Sequence, residues 1–457
     1  MALGKRKPKQ TSLWVETSQL QARARHPFYG RVNEILDRAK FDVYVERICG
    51  KYYAPTAGRP SMAPGVYFRC FLIGYFEGID SERGIAYRVS DSLSLREFLG
   101  LSLEEQTPDH STLSKTRRLM SLGTHRAVFR WVLKRLGGEG LLKGKTLGVD
   151  ATTLEANAAL RSIVRRDNGA GYDEHVRALM TAEGIEEATP AQRQRFDRRR
   201  KKSLSNREWV NPHDREARIT RMKDGRTHLA YKAEHAVDLE TGAVVAVTVQ
   251  PGDRGDTASI RETLSEAGET VVRMKQEAVE RVVADKGYHS KQALRDLAEV
   301  GVRTMIAEPE RKRQRWTGQA AAQKAVYANR RRLETKTAKA LMRKRGELIE
   351  RSFAHLYDTG GMRRVHLRGK DNIAKRALLH AAAFNLSLLL RRMLGVGTAR
   401  QAAGMRTALS FAILWLMQAA EAIHALDQTL KSTPRFAGCS KPSRCSHREA
   451  GALSTGC

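Results

Sequence analysis

Three acidic residues stand where side chains could do metal chemistry. Asp150 follows the run Thr-Leu-Gly-Val and Asp285 follows Arg-Val-Val-Ala, so each is expected at the end of a β-strand, and Glu350 lies in a helical apolar pattern. Carboxylates converging from separate elements are preferred Mg²⁺ ligands, and an adjacent pair of such ions can activate water and stabilise a leaving oxygen. The residues therefore predict a metal-dependent phosphodiester-cleaving site. Strand-end turns for the aspartates and a surface salt bridge for the glutamate are the alternatives.

The elements that would position these acids follow an α/β order. Hydrophobic and β-branched runs predict the strands, and a Glu-Thr-Gly turn predicts a hairpin between the second and third. The predicted strands are 145–155, 228–239, 243–250, 279–284 and 302–306. Helices are expected from Asp256-Thr257, interpreted as a cap, and from Ser290. This order predicts a mixed sheet with Asp150 on its first strand and Asp285 at the end of its fourth, where active groups of open α/β sheets collect.

The preceding part of the chain, from Phe28 to about Leu136, has apolar residues at helical spacing and predicts an all-helical domain. Thr-Pro-Asp at 107–109 predicts the start of a polar helix that carries Lys115, Arg117 and Arg118. Such a helix could enter a major groove of DNA, as in helix-turn-helix proteins, or it could be a solvated face.

A polar, basic insertion is expected at 156–221, after the first strand of the sheet. Its densest run holds Arg198, Arg199, Arg200, Lys201 and Lys202. A run of this kind is typically a solvated face or arm, but beside a catalytic strand it also suits a clamp on a nucleic-acid backbone.

The overall charge points to a polyanionic partner. Lys and Arg total 81 against 50 Asp and Glu, a formal net charge of +31, which favours DNA or RNA over the alternative of a merely soluble basic protein. Five scattered cysteines predict no disulfide framework and fit a reducing cytoplasm. No secretory signal is recognised, and residues 409–426 are interrupted by polar groups, so we interpret them as a packed amphipathic helix rather than a membrane span. Beyond Leu430 the composition predicts a disordered tail.

Other chemistries have little support. The sequence has no dinucleotide-binding or phosphate-loop glycine pattern, no His-Glu-x-x-His and no Cys-x-x-Cys pair.

Several motifs together resemble those of bacterial insertion-sequence transposases of the DDE type, over roughly residues 25 to 400. The N-terminal motifs are 58–61 (Gly-Arg-Pro-Ser) through 75–78 (Tyr-Phe-Glu-Gly), 92–99 (Ser-Leu-Ser-Leu-Arg-Glu-Phe-Leu) and 107–112 (Thr-Pro-Asp-His-Ser-Thr). The core motifs are 148–152 (Gly-Val-Asp-Ala-Thr), 284–288 (Ala-Asp-Lys-Gly-Tyr), 350–353 (Glu-Arg-Ser-Phe) and 360–364 (Gly-Gly-Met-Arg-Arg).

The resemblance implies an RNase H-like catalytic fold in which Asp150, Asp285 and Glu350 hold two Mg²⁺ or Mn²⁺ ions. Glu334 matches the family's Tyr-x-x-Arg-x-x-x-Glu signature with Tyr327, whereas Glu350 does not. We favour Glu350, because its helix has apolar residues that can dock on a sheet; Glu347 and Glu334 are fallbacks. Lys286 is expected either to contact the scissile phosphate or to pack the strand end.

The resemblance also implies a domain order and a function. We expect a basic tail (1–25), a helical DNA-binding domain (26–140), an RNase H-like DDE domain (141–395, insertion 156–221) and a helical segment with a disordered tail (396–457). The protein would bind the terminal inverted repeats of its element as a homodimer on double-stranded DNA, cleave the ends and join them to target DNA. It would act in the bacterial cytoplasm, associated with the nucleoid and not with a membrane. An inactive DNA-binding descendant of a transposase, or a nuclease without strand transfer, are the alternatives.

Overall fold

The computed structural model describes residues 26–54, 61–200, 204–222, 225–310, 315–402 and 404. The predicted basic tail, the predicted amphipathic helix at 409–426 and the predicted tail beyond Leu430 lie outside the described residues.

Helices build the N-terminal part of the chain up to the first strand, as predicted. They are α1 (Pro27–Arg38), α2 (Phe41–Cys49), α3 (Pro64–Glu77), α4 (Glu82–Ser90), α5 (Leu93–Leu99), α6 (His110–Leu119) and α7 (Leu122–Gly138). Helix α3 is apolar on nearly every side and is buried accordingly. It starts with Pro64 in its first turn and ends at Gly78, whose φ of 69° gives the left-handed conformation that stops a helix. Asp109 caps α6, since its carboxylate accepts from the Ser111 amide.

The next part of the chain forms a mixed sheet, as predicted. Its strands are β1 (Thr146–Glu155), β4 (Arg218–Arg221), β5 (Thr227–Asp238), β6 (Val244–Pro251), β7 (Arg281–Ala284) and β8 (Arg303–Ile306). They run in the order β4-β5-β1-β7-β8, and β6 also pairs with β5. Strands β1, β7 and β8 are parallel to one another, whereas β5 runs antiparallel to β1, β4 and β6.

Strand β4 corrects the predicted strand count. The sequence Arg-Ile-Thr-Arg at 218–221 was assigned to the basic insertion, but it pairs with the start of β5. Asp285 therefore follows the fifth strand of this sheet in chain order, not the fourth.

Helices cover both faces of the sheet. They are α10 (Asp256–Arg273), α11 (Lys291–Glu299), α12 (Ala320–Leu333), α13 (Lys336–Ala354) and α14 (Lys370–Leu394). Helix α13 packs across β1, β5 and β7, α10 packs on β5 and β6, and α12 packs on β8 and α11.

The rest of the insertion has structure of its own. A two-stranded sheet of β2 (Val164–Arg165) and β3 (Trp209–Val210) accompanies α8 (Tyr172–Ala182) and α9 (Pro190–Arg199). Its exposed cations are therefore presented largely on short folded elements.

Helix α14 connects the helical part to the sheet. It packs against α3 and α7 and also against β6, where the Asn385 amide group bonds both the N–H and the C=O of Val244, at 2.9 and 2.8 Å. Lys375 donates to the Arg117 carbonyl, and Arg376 to that of Ile79, each at 3.0 Å. Among the described residues, the stretch Lys370–Ala402 is long and apolar enough to cross a membrane, but its most apolar window is 94% buried. It is packed as a core helix, and one hydrophobic core runs through both parts.

Candidate active site

Asp150 and Asp285 lie on neighbouring parallel strands, Asp150 in the middle of β1 and Asp285 directly after the end of β7. Val149 pairs with Ala284, so the two aspartates are the next residues on β1 and directly after β7. Asp285 keeps an extended backbone, and residues in register on adjacent strands present their side chains on the same face. The sheet thus brings the two aspartates together. The prediction that Asp150 ends a strand is wrong, because β1 continues to Glu155 and stays paired with β5 over those residues.

A tight turn follows Asp285 and fixes its carboxylate. Its Oδ1 accepts from the Gly287 amide at 2.9 Å, capping a 3₁₀ turn at Lys286–Tyr288. The Lys286 side chain is exposed beside it, whereas Tyr288 is fully buried and packs the strand end. Gly287 has no room for a side chain, because a Cβ there would lie 2.5 Å from Asp256 Oδ2 and 3.1 Å from Asp285 Oδ1.

The Asp150 carboxylate is held at both oxygens. Its Oδ1 accepts from the Ala151 amide at 2.8 Å, and its Oδ2 accepts from a guanidinium nitrogen of Arg345 at 3.0 Å. Arg345 belongs to α13, and its side chain is only 13% exposed. Arg345 is not among the residues predicted from sequence, although it lies four residues before Ile349, on the helix face that docks on the sheet.

Glu350 is exposed on α13, the helix that packs on β1 and β7. Leu348 contacts Gly242 in the β5–β6 turn. Because each helical residue turns by about 100°, Glu350 lies about 200° around α13 from Leu348, away from the residues that dock on the sheet. Among the described residues, no group of three His, Cys, Asp or Glu side chains stands close enough to hold a metal ion. Glu350 is therefore not grouped with the two aspartates in this structure, and its role as third ligand stays a prediction.

The fallback glutamates are placed less well. Glu334 is exposed at the end of α12, a helix that packs on β8 and α11 rather than on β1. The arginine of its matching signature, Arg330, is bound to Glu308 at 2.6 Å. Glu347 lies on α13, but it pairs with Arg351 at 2.6 Å.

A buried polar cluster supports the Asp285 turn from the other face of the sheet. Glu234 on β5 is fully buried and accepts hydrogen bonds from Ser259 at 2.8 Å, from Tyr288 at 2.8 Å and from Thr263. Burial, together with the Glu234 charge, raises the pKa of Tyr288 and keeps its phenol protonated as a donor. The turn that carries Asp285 is thus anchored at its last residue.

Lys232 supplies the counter-charge of this cluster. Its ammonium is 7% exposed and donates to Asp256 Oδ1 at 2.5 Å and to Ser259 at 2.7 Å, with Glu234 at 3.6 Å. The predicted capping role of Asp256 is wrong, because Gly255 is the cap residue of α10. The Asp256 carboxylate instead accepts from Lys232 and lies close to Gly287 in the Asp285 turn.

His235 lies beside Asp150 on the same face of the sheet, since the two residues are in register on β5 and β1. Its Nδ1 is 3.0 Å from the Ser352 hydroxyl, and its ring packs on Phe353. Complete burial lowers its pKa to about 3, so the ring is neutral at ordinary pH. The residue packs α13 onto the sheet.

Some of the residues predicted to contact DNA are exposed and could reach it, whereas others are bound to protein side chains. Lys115 and Arg118 are exposed on α6, but Arg117 points into the protein and pairs with Glu82. Its prediction is therefore wrong: Arg117 is a structural ion pair between α6 and α4.

In the insertion, Arg198 and Arg199 are exposed at the end of α9. Arg200 is tied to Asp197 at 2.8 Å and to the Tyr172 hydroxyl at 2.9 Å. Lys201 and Lys202 lie outside the described residues.

Comparison with protein families identifies both parts of the chain. Residues 16–119 match a family described as "Transposase domain (DUF772)", and residues 150–386, more than half of the chain, match the "Transposase DDE domain" family. No curated protein matches the sequence. The mixed sheet flanked by helices is the RNase H-like fold expected of this domain. By these two matches the chain is a transposase that belongs to the DDE family.

Proposed function

We propose that the protein binds the terminal inverted repeats of an insertion sequence and catalyses metal-dependent DNA cleavage and strand transfer. The observation that carries this proposal is the placement of Asp150 and Asp285 in adjacent register on one face of the sheet. Glu350, exposed on α13, is proposed to complete the site.

The donor set suits a divalent metal. Members of the DDE family normally use such ions, and carboxylate oxygens from a strand, a strand end and a helix are what Mg²⁺ and Mn²⁺ prefer. We propose that Asp150, Asp285 and Glu350 hold two of these ions. When bound, they would neutralise charge at the phosphate and lower the pKa of water.

The protein groups around the metals position the reacting phosphate and exclude other reactions. Cleavage replaces one P–O bond at the element end by a bond to water oxygen and releases a 3′-hydroxyl, which takes up a proton. Strand transfer then exchanges a target P–O bond for a bond to this hydroxyl, so the number of phosphodiester bonds is unchanged. Lys286, exposed next to Asp285, is placed to pair with a phosphate oxygen.

The partner that fits this chemistry is double-stranded DNA, at the element ends and at the target. The exposed cations of α6 and α9 are proposed to grip its backbone, consistent with the net charge of +31. Cutting two ends together requires at least two active sites, so we propose a homodimer on DNA, working in the bacterial cytoplasm at the nucleoid.

The test is a nicking and joining assay with a labelled duplex that carries the end of the encoding element, a supercoiled plasmid and Mg²⁺. The parent protein should nick at the repeat boundary and join the end to the plasmid. Asp150→Asn and Asp285→Asn should keep DNA binding and lose cleavage by at least about 100-fold.

Other results would select the alternatives. Tight binding without a cut in the parent protein would favour a catalytically inactive descendant, and cutting without joining would favour a nuclease. Unchanged cleavage by Asp150→Asn would refute the proposed site.

A further inference from the structure

We propose that Arg345 is a built-in counter-ion of Asp150 that competes with a divalent metal for the same carboxylate oxygen. This inference rests on the proposed function, because it concerns the metal site assigned there. It makes Arg345 a positioning residue of that site.

The contact is direct and well supported. A guanidinium nitrogen of Arg345 lies 3.0 Å from Asp150 Oδ2 and 3.5 Å from the Val149 carbonyl. The aliphatic stem packs against Gly148, whose missing side chain makes space: a Cβ there would be 3.0 Å from Arg345 Cγ. The guanidinium is therefore held against Asp150 by its stem as well as by charge.

The two oxygens of Asp150 are unequal. Oδ1 accepts from the Ala151 amide, which belongs to the strand and cannot leave without breaking local structure. Oδ2 has the Arg345 side chain as its partner, and a side chain can change rotamer. Oδ2 is thus the oxygen that can be given over to a metal.

A metal ion and the guanidinium disfavour each other there. An Mg²⁺ or Mn²⁺ bound to Oδ2 would sit about 2 Å from the oxygen. It would then face a positive group that is 13% exposed and little screened by water. Metal binding at Asp150 must therefore move the guanidinium aside or accept its repulsion, and either cost weakens the measured affinity.

Arg345 also has unused hydrogen-bonding capacity. Its buried Nε has no hydrogen-bond partner among the described residues. The guanidinium is therefore not bonded at every nitrogen, unlike the Glu234 carboxylate on the other face of the sheet, which accepts from Ser259, Thr263 and Tyr288.

The direction in which metal affinity changes when Arg345 is removed separates competition from a purely structural role. If Arg345 only supported the fold or oriented Asp150 for the metal, its removal would weaken metal binding. If it competes with the metal, its removal will strengthen binding even where it lowers stability.

The experiment measures Mn²⁺ affinity of the full chain by electron paramagnetic resonance and calorimetry, without DNA. Arg345→Met should bind Mn²⁺ about tenfold more tightly than the parent, corresponding to the loss of one competing charge-assisted hydrogen bond. Arg345→Gln provides the same test if the methionine variant does not fold. Arg343→Met, which removes an exposed arginine from the same helix, should stay within about twofold of the parent.

Two outcomes would overturn the inference in distinguishable ways. Equal or weaker Mn²⁺ binding by both Arg345 variants, with binding still abolished by Asp150→Asn, would refute competition and leave the proposed metal site standing. A parent protein whose Mn²⁺ binding does not depend on Asp150 would refute the metal site and the inference together.

Discussion

Removing the Lys232 ammonium should be among the most damaging single changes to this fold. Lys232 and Glu234 are 7% and 0% exposed, and their charged atoms are 3.6 Å apart. Taking away one partner of a buried ion pair leaves an uncompensated charge, which costs about 3–5 kcal/mol. Asp256, which is 37% exposed, adds less, because water screens its charge. We therefore expect Lys232→Met to lower the free energy of unfolding by about 3–5 kcal/mol in urea titrations.

A double-variant cycle tests whether the Lys232 and Glu234 charges stabilise the fold as a pair. Lys232→Met combined with Glu234→Gln removes both charges, so it should cost about 2 kcal/mol less than the sum of the single variants. Lys145→Met is the matched control, since Lys145 pairs with Glu277 at 2.6 Å on the surface and its loss should change stability little. A Lys232→Met protein as stable as this control, or strictly additive losses in the cycle, would refute the buried-pair argument.

Three further predictions follow from the site and its surroundings. Gly287→Ala should lower the single-turnover cleavage rate by about 100-fold, because its added methyl would displace the carboxylate of Asp285, a proposed metal ligand. Gly268→Ala, whose added methyl meets nothing within 4 Å, should not lower this rate, and equal rates for the two variants would contradict the packing described. His235 has a folded-state pKa near 3, below its usual 6.5, so it contributes stability above pH 6.5 that is lost as pH falls, by up to about 1.4 kcal/mol per pH unit. His235→Gln should therefore flatten the pH dependence of the urea midpoint by the equivalent of about one proton. An unchanged slope of this pH dependence would count against a neutral buried ring. Arg118→Met should reduce the slope of log DNA affinity against log salt by about 0.9, because Arg118 is exposed. Arg117→Met should leave that slope unchanged and lower the free energy of unfolding by about 3 kcal/mol, because Arg117 pairs with Glu82 inside the protein. The reverse pattern would mean that α6 is oriented differently.

The elements that position the aspartates could be predicted because their signals are local. Apolar and β-branched runs before Asp150 and Asp285 predicted the strands that carry them, although only Asp285 stands at a strand end. The hairpin turn at 240–242 predicted that the two strands it joins are antiparallel. The parallel register that puts Val149 beside Ala284 depends on the packing of intervening helices, so only the structure shows how close the two acids lie.

Other features of the fold and of the site were not predicted from the sequence, because they depend on neighbours that are distant in sequence. Arg345 meets Asp150 across 195 positions, and no local pattern encodes that pairing. Strand β4 is four residues long, three of them polar, and it is defined by its partner β5 rather than by its own composition. Arg117 was misassigned although a signal existed, since it shares a helix stripe with the buried Leu113 and Met120 at spacings of four and three.

Lys232 and Glu234 carried a signal of another kind. They stand two positions apart, on the same face of a strand that is buried on both faces. Polar residues are unusual in such a strand and must find partners. Such a pattern predicts a polar cluster in the core without indicating which helix supplies the other half.

The placement of α14 bears on how copies of the gene can decay. This helix is the last long element of the described chain, yet it packs on α3 and α7 from the first third and on β6 from the sheet. A premature stop before Lys370 would leave the apolar surfaces of all three in water, so the shortened chain would lack a complete core in either half. Erosion from the 3′ end of the gene would then yield an unstable polypeptide rather than a folded N-terminal fragment able to occupy the element's ends in competition with intact protein.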